Sequence, residues 1–210
     1  TRLGDGVRGR RVAVTGAGVV GLLTALFAAD QGAAEVVVLD ETAERLDLAA
    51  RLGLGTMTAH EDAPMDLKRR WRHAPGDRGA DVVFQCRGQS RALALALRLL
   101  RPQGTVVDLA FYTAGADEVR LGEEFHHNGL SIRCAQIGRV PRGLAHAWDR
   151  ERLSHETLGL LRRRGHALRE HVLTDLVGFD DAPALLADLA AGRRHAVQAV
   201  LCDHVEDEGG

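Results

Sequence analysis

Lysine is almost absent: Lys68 is the one lysine among 27 basic residues, the rest being arginine. That excludes a G-K-[ST] phosphate loop and the Tyr-x-x-x-Lys pair of short-chain reductases, both of which need lysine at a fixed spacing. Cysteine is scarce as well. Cys86, Cys134 and Cys202 are far apart and odd in number, which argues against a disulfide framework or a four-cysteine zinc site and predicts a reducing, cytoplasmic setting. No apolar run reaches the roughly 18 residues of a membrane span. Thr1 to Arg10 is polar and Gly/Arg-rich, without the pattern of a secretory signal. Charge of one sign is also lacking. A net charge of −2 at pH 7 supplies no overall field toward nucleic acid or an anionic membrane. No H-E-x-x-H motif or close Cys/His cluster occurs, and the His126-His127 pair points in opposite directions if extended.

What is present is ordinary globular material, 45% hydrophobic and 27% charged, long enough to bury a sizeable core. Arg11 to Asp40 organises it. Arg11 to Thr15 reads as a buried strand, and Gly16, Gly18 and Gly21 form G-x-G-x-x-G. Val19 to Ala29 reads as an apolar helix closed by Gly32, and Glu35 to Leu39 as a second strand ending on Asp40. Gly16 suits a tight turn, Gly18 a close approach to a pyrophosphate, and Gly21 close packing of helix on strand. The helix N-terminus offers unpaired N–H groups to phosphate, and Asp40 can accept ribose hydroxyls. Dinucleotide binding is the reading. A methyltransferase, or a similar turn that has lost its ligand, are the rivals.

The rest alternates. Glu41 to Leu52 has helical spacing with Gly53 as its stop, and Thr56 to Ala59 reads as a short third strand. Pro64 to His73 is a basic amphipathic helix whose Leu67 and Trp71 face inward, favoured over a nucleic-acid patch. Ala80 to Cys86 is a fourth strand and Gln89 to Leu100 an apolar helix, stopped by Arg101-Pro102-Gln103-Gly104 before a strand at Thr105 to Ala110. Leu130 to Ile137 is a sixth strand. Arg150 to Arg164 reads as a helix with Arg162 to Arg164 at its C-terminus, followed by a strand at His171 to Val177. Asp180 or Asp181 caps a helix to Ala191 with Pro183 in its first turn, and Ala196 to Cys202 is a last strand. Such alternation predicts an α/β fold: a Rossmann-type, doubly wound parallel sheet with helices on both faces. The expected division is a lead-in over 1–10, a dinucleotide-binding domain over 11–140, an extension packed on it over 141–204, and a disordered acidic tail over 205–210. Ligands of such sheets lie beyond the strands' carboxyl ends. That rim would carry Thr15-Gly16, Asp40, Cys86-Arg87-Gly88 and Ala110-Phe111-Tyr112.

The whole chain resembles the nucleotide-binding and C-terminal part of medium-chain, zinc-type alcohol dehydrogenases. The features are Gly4-Asp5, the G-A-G-V-V-G turn, Asp40 followed by Arg45-Leu46 and Ala49, and Ala80-Asp81-Val82-Val83. They continue with Leu100-Arg101-Pro102-Gln103-Gly104-Thr105-Val106-Val107 and Phe179-Asp180-Asp181-Ala182. Gln136 to Val140 and Trp148 resemble the branch near threonine, sorbitol and bacteriochlorophyllide-type dehydrogenases. The resemblance implies that Gly16, Gly18, Val19, Val20 and Gly21 hold the pyrophosphate and Asp40 the adenosine ribose. Arg45 would flank the adenine, with Arg87 and Gly88 on the adenosine side, although the family usually has Thr or Ser where Arg87 stands. Asp40 and Glu41 oppose a 2′-phosphate, so NAD is expected over NADP. A homodimer through the edge strand at 131–137 is expected, with no nucleic-acid or membrane partner.

In the family the zinc ligands and proton relay lie mainly in an N-terminal catalytic domain, and nothing in this chain replaces them, so no zinc is expected. Tyr112, the one tyrosine, is a candidate proton donor set against a packing role. Three readings stand side by side: a dehydrogenase cofactor domain whose catalytic domain lies elsewhere, a shortened relative running a non-zinc reaction at the rim, and a non-enzymatic NAD-binding scaffold or sensor. The last strand matches a segment that returns to the catalytic domain in the family, so here it must pair within this chain or across a dimer.

Overall fold

The computed structural model describes residues 6–203. Gly4-Asp5 and the acidic tail at 205–210 lie outside the described residues. By contact density the chain divides into one unit running to Leu158 and a second from Gly159, the division falling inside a helix.

The first unit is built on a six-stranded sheet, all of it parallel. Its strands are β1 (Arg11–Thr15), β2 (Glu35–Asp40), β3 (Gly55–Thr58), β6 (Ala80–Gln85), β7 (Leu100–Asp108) and β8 (Ser131–Cys134). Their spatial order is β3-β2-β1-β6-β7-β8, with Val12 opposite both Val36 and Val82. The central strands read as nearly continuous valine runs because both faces are covered, so each successive side chain is apolar. Ala13, Val37, Leu39 and Val83 pack with Leu67 and Trp71 on one face. On the other, Val14 faces Gly21 of helix α1 (Val19–Asp30). Helices therefore lie on both faces, as the alternation implies.

The helices α1, α2 (Ala43–Arg51), α3 (Ala63–Arg70) and α4 (Ser90–Leu99) fall where periodicity puts them. Gly32 and Gly53 follow α1 and α2 at positive φ. Trp71 is fully buried at the end of α3, its Nε1–H donating to Glu35 Oε2 at 2.5 Å, while Arg70 pairs with the same carboxylate. The aromatic body fills the core and its one polar atom is satisfied.

Several expectations need correction. His73 is not helical: it lies in β4 (Arg72–Ala74), which forms an antiparallel hairpin with β5 (Asp77–Arg78) that carries no strong strand pattern. Arg101 ties this hairpin to the sheet, donating to Asp77 Oδ1 at 2.7 Å and Asp81 Oδ1 at 2.6 Å. Strand β7 starts at Leu100, not Thr105. Leu100 pairs with Ala80 and Thr105 with Val82, so Arg101 to Gly104 bulge from the ladder instead of preceding it. Strand β8 stops at Cys134, leaving Ile137 98% exposed. His126 and His127 sit in a helical turn with rings edge to face 5.9 Å apart, not in extended chain.

Helix α5 (Arg150–His171) runs one to two turns past its expected end, so Arg162 to Arg164 are interior and not C-terminal. In the second unit, β9 (Leu173–Gly178) and β10 (Gln198–Cys202) form a parallel pair, so the last strand finds its partner within this chain. Between them α6 (Ala182–Ala190) starts after Asp181 with Pro183 in its first turn, but the Asp181 side chain makes no capping bond. Asp175, 7% exposed, is held by the Thr174 hydroxyl at 2.7 Å and by Arg194 at 2.5 Å.

Candidate cofactor site

The site grows from the turn between β1 and α1. Gly16 has φ +98, where an L side chain is strained, and its N–H donates to Leu39 O at 2.8 Å. A Cβ on Gly21 would stand 1.8 Å from the Gly16 carbonyl oxygen. A Cβ on Gly18 would meet nothing within 4 Å, which leaves open space at the start of the helix. Gly18 is the N-cap of α1, with no side-chain capping bond and no acidic residue in the first turn. Val19 is half-buried and Val20 exposed beside it. The first-turn N–H groups and the positive end of the helix dipole thus face a space shaped for an anion.

Asp40 closes the other side of the turn. Its Oδ2 accepts the Ala17 N–H at 2.7 Å and its Oδ1 the Thr42 N–H at 2.9 Å. Burial opposes its charge, but these bonds and the nearby Arg45 outweigh it and hold the carboxyl below its ordinary value. Asp40 therefore stays ionised near neutral pH, with the Thr42 side chain also bonded to its carboxylate. Arg45, on α2, is half-buried.

A cleft of about 330 Å³ opens beyond the strand ends, lined by Thr15, Gly16, Leu39, Glu41, Arg87 and Arg91 among others. Arg87 Nη2 donates to Glu41 Oε2 at 2.9 Å, and Arg91 Nη2 to the same oxygen at 3.3 Å. Gly88 passes close to the chain after β7: a Cβ there would meet Phe111 O at 2.6 Å. Phe111 itself is exposed.

Beneath the rim lies a polar network that sequence reading missed. Gln85 is fully buried; its Oε1 accepts the Thr15 hydroxyl at 2.6 Å and the Arg87 N–H at 3.1 Å. Its Nε2 donates to Arg87 O at 2.6 Å and to the Tyr112 hydroxyl at 3.0 Å. That hydroxyl donates in turn to Asp108 Oδ1 at 2.9 Å. Among the described residues no buried side-chain polar atom lacks a partner. Desolvation and the Asp108 charge push the Tyr112 phenol up, and burial pushes the neighbouring Cys86 thiol up to about 12. Tyr112 therefore sits in this geometry as a strut between β6 and β7, with its proton engaged. One signal was available: a glutamine ending an otherwise apolar strand needs partners for both ends of its amide. Arg91 carried no such mark, because its role depends on α4 placing it across from β2.

Asp40, Arg45, Arg87 and Gly88 thus lie with the glycine turn at one end of the sheet. A nicotinamide dinucleotide fits this end of the sheet, since the open helix N-terminus and the Gly18 gap offer what a pyrophosphate requires and an ionised carboxylate ends β2. Zinc does not fit. Among the described residues no three His, Cys, Asp or Glu side chains gather to hold a metal ion.

The family model for zinc-binding dehydrogenase matches residues 19–150. D-guloside 3-dehydrogenase of Escherichia coli K12 is 30% identical over 172 residues, which are 82% of this chain and 48% of that protein. A putative D-xylulose reductase of Rhizobium meliloti is 40% identical over 96 residues, 45% of this chain and 27% of its own. In fold, an alcohol dehydrogenase of Thermotoga maritima superposes with TM-score 0.76 at 22% identity, over 95% of this chain and 51% of that one. The chain spans about half the length of D-guloside 3-dehydrogenase and less of the reductase. With the parallel sheet, the glycine turn and the matched segment in agreement, the chain belongs to the zinc-binding dehydrogenase family and carries the dinucleotide-binding domain of the medium-chain dehydrogenases.

Proposed function

We propose that this chain binds NAD(H) in the cleft at the carboxyl ends of β1, β2 and β6. The observation that carries the reading is the unobstructed N-terminus of α1, with Gly16 at positive φ and open space at Gly18. Gly16, Gly18, Val19, Val20 and Gly21 hold the pyrophosphate through backbone N–H groups and the helix dipole. Asp40 accepts the adenosine ribose hydroxyls, with Arg45, Arg87 and Gly88 lining that side. Asp40 and Glu41 make a 2′-phosphate unwelcome, so NAD(H) binds more tightly than NADP(H).

The bound dinucleotide supplies hydride-transfer chemistry. Oxidising an alcohol also requires removal of the hydroxyl proton and stabilisation of the developing alkoxide. Tyr112 does not supply these, because its hydroxyl is held between Gln85 and Asp108. Those tasks fall to a catalytic domain of the kind the family resemblance implies. The dimeric state, through the free edge of β8, and a cytoplasmic location consistent with the free cysteines Cys86, Cys134 and Cys202 belong to the same proposal.

The test pairs calorimetry with turnover. NADH should bind the purified chain, while metal-free protein should form no NADH from NAD and a panel of primary and secondary alcohols. Robust turnover would show a complete active site on this chain, and tighter binding of NADPH than NADH would overturn the cofactor choice.

A further inference from the structure

Three stretches of backbone stand side by side at the rim with no room between them. A Cβ on Gly16 would meet Arg87 Cβ at 3.3 Å and the Arg87 nitrogen at 3.5 Å, and one on Gly88 would meet Phe111 O at 2.6 Å. The glycine turn, the loop from Cys86 to Gly88 and the chain after β7 therefore touch in that order. A shift of the middle loop displaces both neighbours.

One buried side chain holds that middle loop. Thr15, Gln85 and Asp108 are the last residues of β1, β6 and β7, and Gln85 is fully buried between the other two strand ends. Its Oε1 accepts the Arg87 N–H and its Nε2 donates to Arg87 O, so the amide closes on the backbone of one residue from both sides. The Arg87 guanidinium takes no part in this. The pairing fixes which way round the amide lies, because the N–H needs an acceptor and the carbonyl a donor. The other bonds follow from it. Oε1 takes the Thr15 hydroxyl, at the strand end that leads into Gly16, and Nε2 gives its second hydrogen to the Tyr112 hydroxyl. Tyr112 must then donate elsewhere, and does so to Asp108 Oδ1, which also accepts the Ala110 N–H at 3.1 Å. One amide thus ties three strand ends together, each bond setting the direction of the next.

We infer that Gln85 is a positioning residue of the cofactor cleft, setting the Arg87–Gly88 backbone against the glycine turn, and that Tyr112 extends this hold to the far half of the dinucleotide. The inference rests on the cleft taking NAD(H), as proposed above. With pyrophosphate at the N-terminus of α1 and adenosine toward β2, the second nucleotide half lies across the ends of β6 and β7. Gln85 stands between the two halves, whereas Tyr112 belongs to the second alone. Loss of the Gln85 amide therefore weakens every ligand of the cleft. Loss of the Tyr112 hydroxyl weakens only those that reach past the pyrophosphate.

The experiment is calorimetric titration of the full chain with NADH and with ADP, which carries the first half and the pyrophosphate only. The proteins are wild type, Gln85→Leu, Gln85→Met, Tyr112→Phe and Trp71→Phe, the last losing its bond to Glu35 at the opposite end of the sheet. Thermal melting checks that each is folded. Both Gln85 variants should bind NADH and ADP about tenfold more weakly. Tyr112→Phe should bind NADH about threefold or more weakly and ADP within about twofold of wild type. Trp71→Phe should melt earlier yet keep both affinities. Wild-type affinity for both ligands in a folded Gln85 variant overturns the role of Gln85. In Tyr112→Phe, an unchanged NADH affinity, or an equal loss of both ligands, overturns the hold on the far half. Losses in Trp71→Phe that match those at Gln85 would mean that stability, and not position, sets the affinity. Wild type binding neither ligand is a separate result, and takes down the cofactor reading itself.

Discussion

Gly21 packs so closely under Gly16 that a β-carbon on it would stand 1.8 Å from the Gly16 carbonyl oxygen. That oxygen belongs to backbone held by the Gly16 N–H bond to Leu39, so it has little room to give way. Gly21→Ala should lose about 1–3 kcal/mol of stability through overpacking and bind NADH more weakly as the turn shifts. Gly18→Ala meets open space at φ −78, so its unfolding free energy should stay within about 0.5 kcal/mol of wild type. Its NADH affinity should still fall, because the new methyl group occupies the phosphate approach. Urea unfolding and calorimetry separate the two. Equal stabilities for both variants would contradict the packing account.

Asp40 makes the turn sensitive to acid. Its folded pKa lies below the ordinary value because two N–H bonds and Arg45 outweigh burial. The stability it contributes is present above the unfolded value near pH 4, and is lost as the pH falls through the lower folded value. Asp40→Asn turns an amide N–H₂ toward a backbone donor and should cost about 1–3 kcal/mol at neutral pH. The gap between wild type and variant should narrow as unfolding is measured from about pH 6 down to about pH 3. A gap independent of pH would mean that the charge contributes nothing.

Cys86, half-buried, should react slowly in the folded protein. With the thiol pushed up to about 12 by burial, only about one molecule in ten thousand is thiolate at pH 8. A disulfide-exchange reagent should label Cys86 far more slowly in the folded protein than in urea, with Cys86→Ser identifying its share of the denatured count. Labelling of Cys86 at the same rate in the native and unfolded states would overturn this.

The outer edge of β8 is the one strand edge on that side of the sheet, running Ser131 to Cys134 beside β7. A parallel sheet that ends on unpaired backbone groups invites an equivalent strand from a second copy. Light scattering at micromolar concentration should therefore report a dimer. A monomer there would leave the β8 edge without the partner proposed for it.

Legibility in the sequence followed the range of the interaction concerned. The β1 turn, α1 and β2 were readable because each depends on near neighbours: valine runs, glycines where the backbone turns, and a polar residue ending a strand. Trp71 and Leu67 were readable as inward-facing for the same reason. The β4–β5 hairpin was not, since Arg72 to Arg78 has no alternating pattern, and Arg101, more than twenty residues on, ties it to the sheet through Asp77 and Asp81. The length of α5 was likewise hidden, because Gly165 directly follows Arg164, where a local stop would fall, yet the helix runs through it to His171.

For the site, local chemistry in the sequence determined the glycine turn, the helix N-terminus behind it and the acidic end of β2. All of these lie within thirty consecutive residues, and each follows from backbone sterics or strand and helix period. Only the tertiary structure decided what the carboxylates do. Asp40 turns inward onto Ala17, 23 residues away, while Glu41 reaches Arg87 and Arg91, 46 and 50 residues away. Parallel strands place residues distant in sequence at one rim. The partners there depend on which strand lies beside which, and adjacent side chains such as Asp40 and Glu41 leave a strand end in opposite directions.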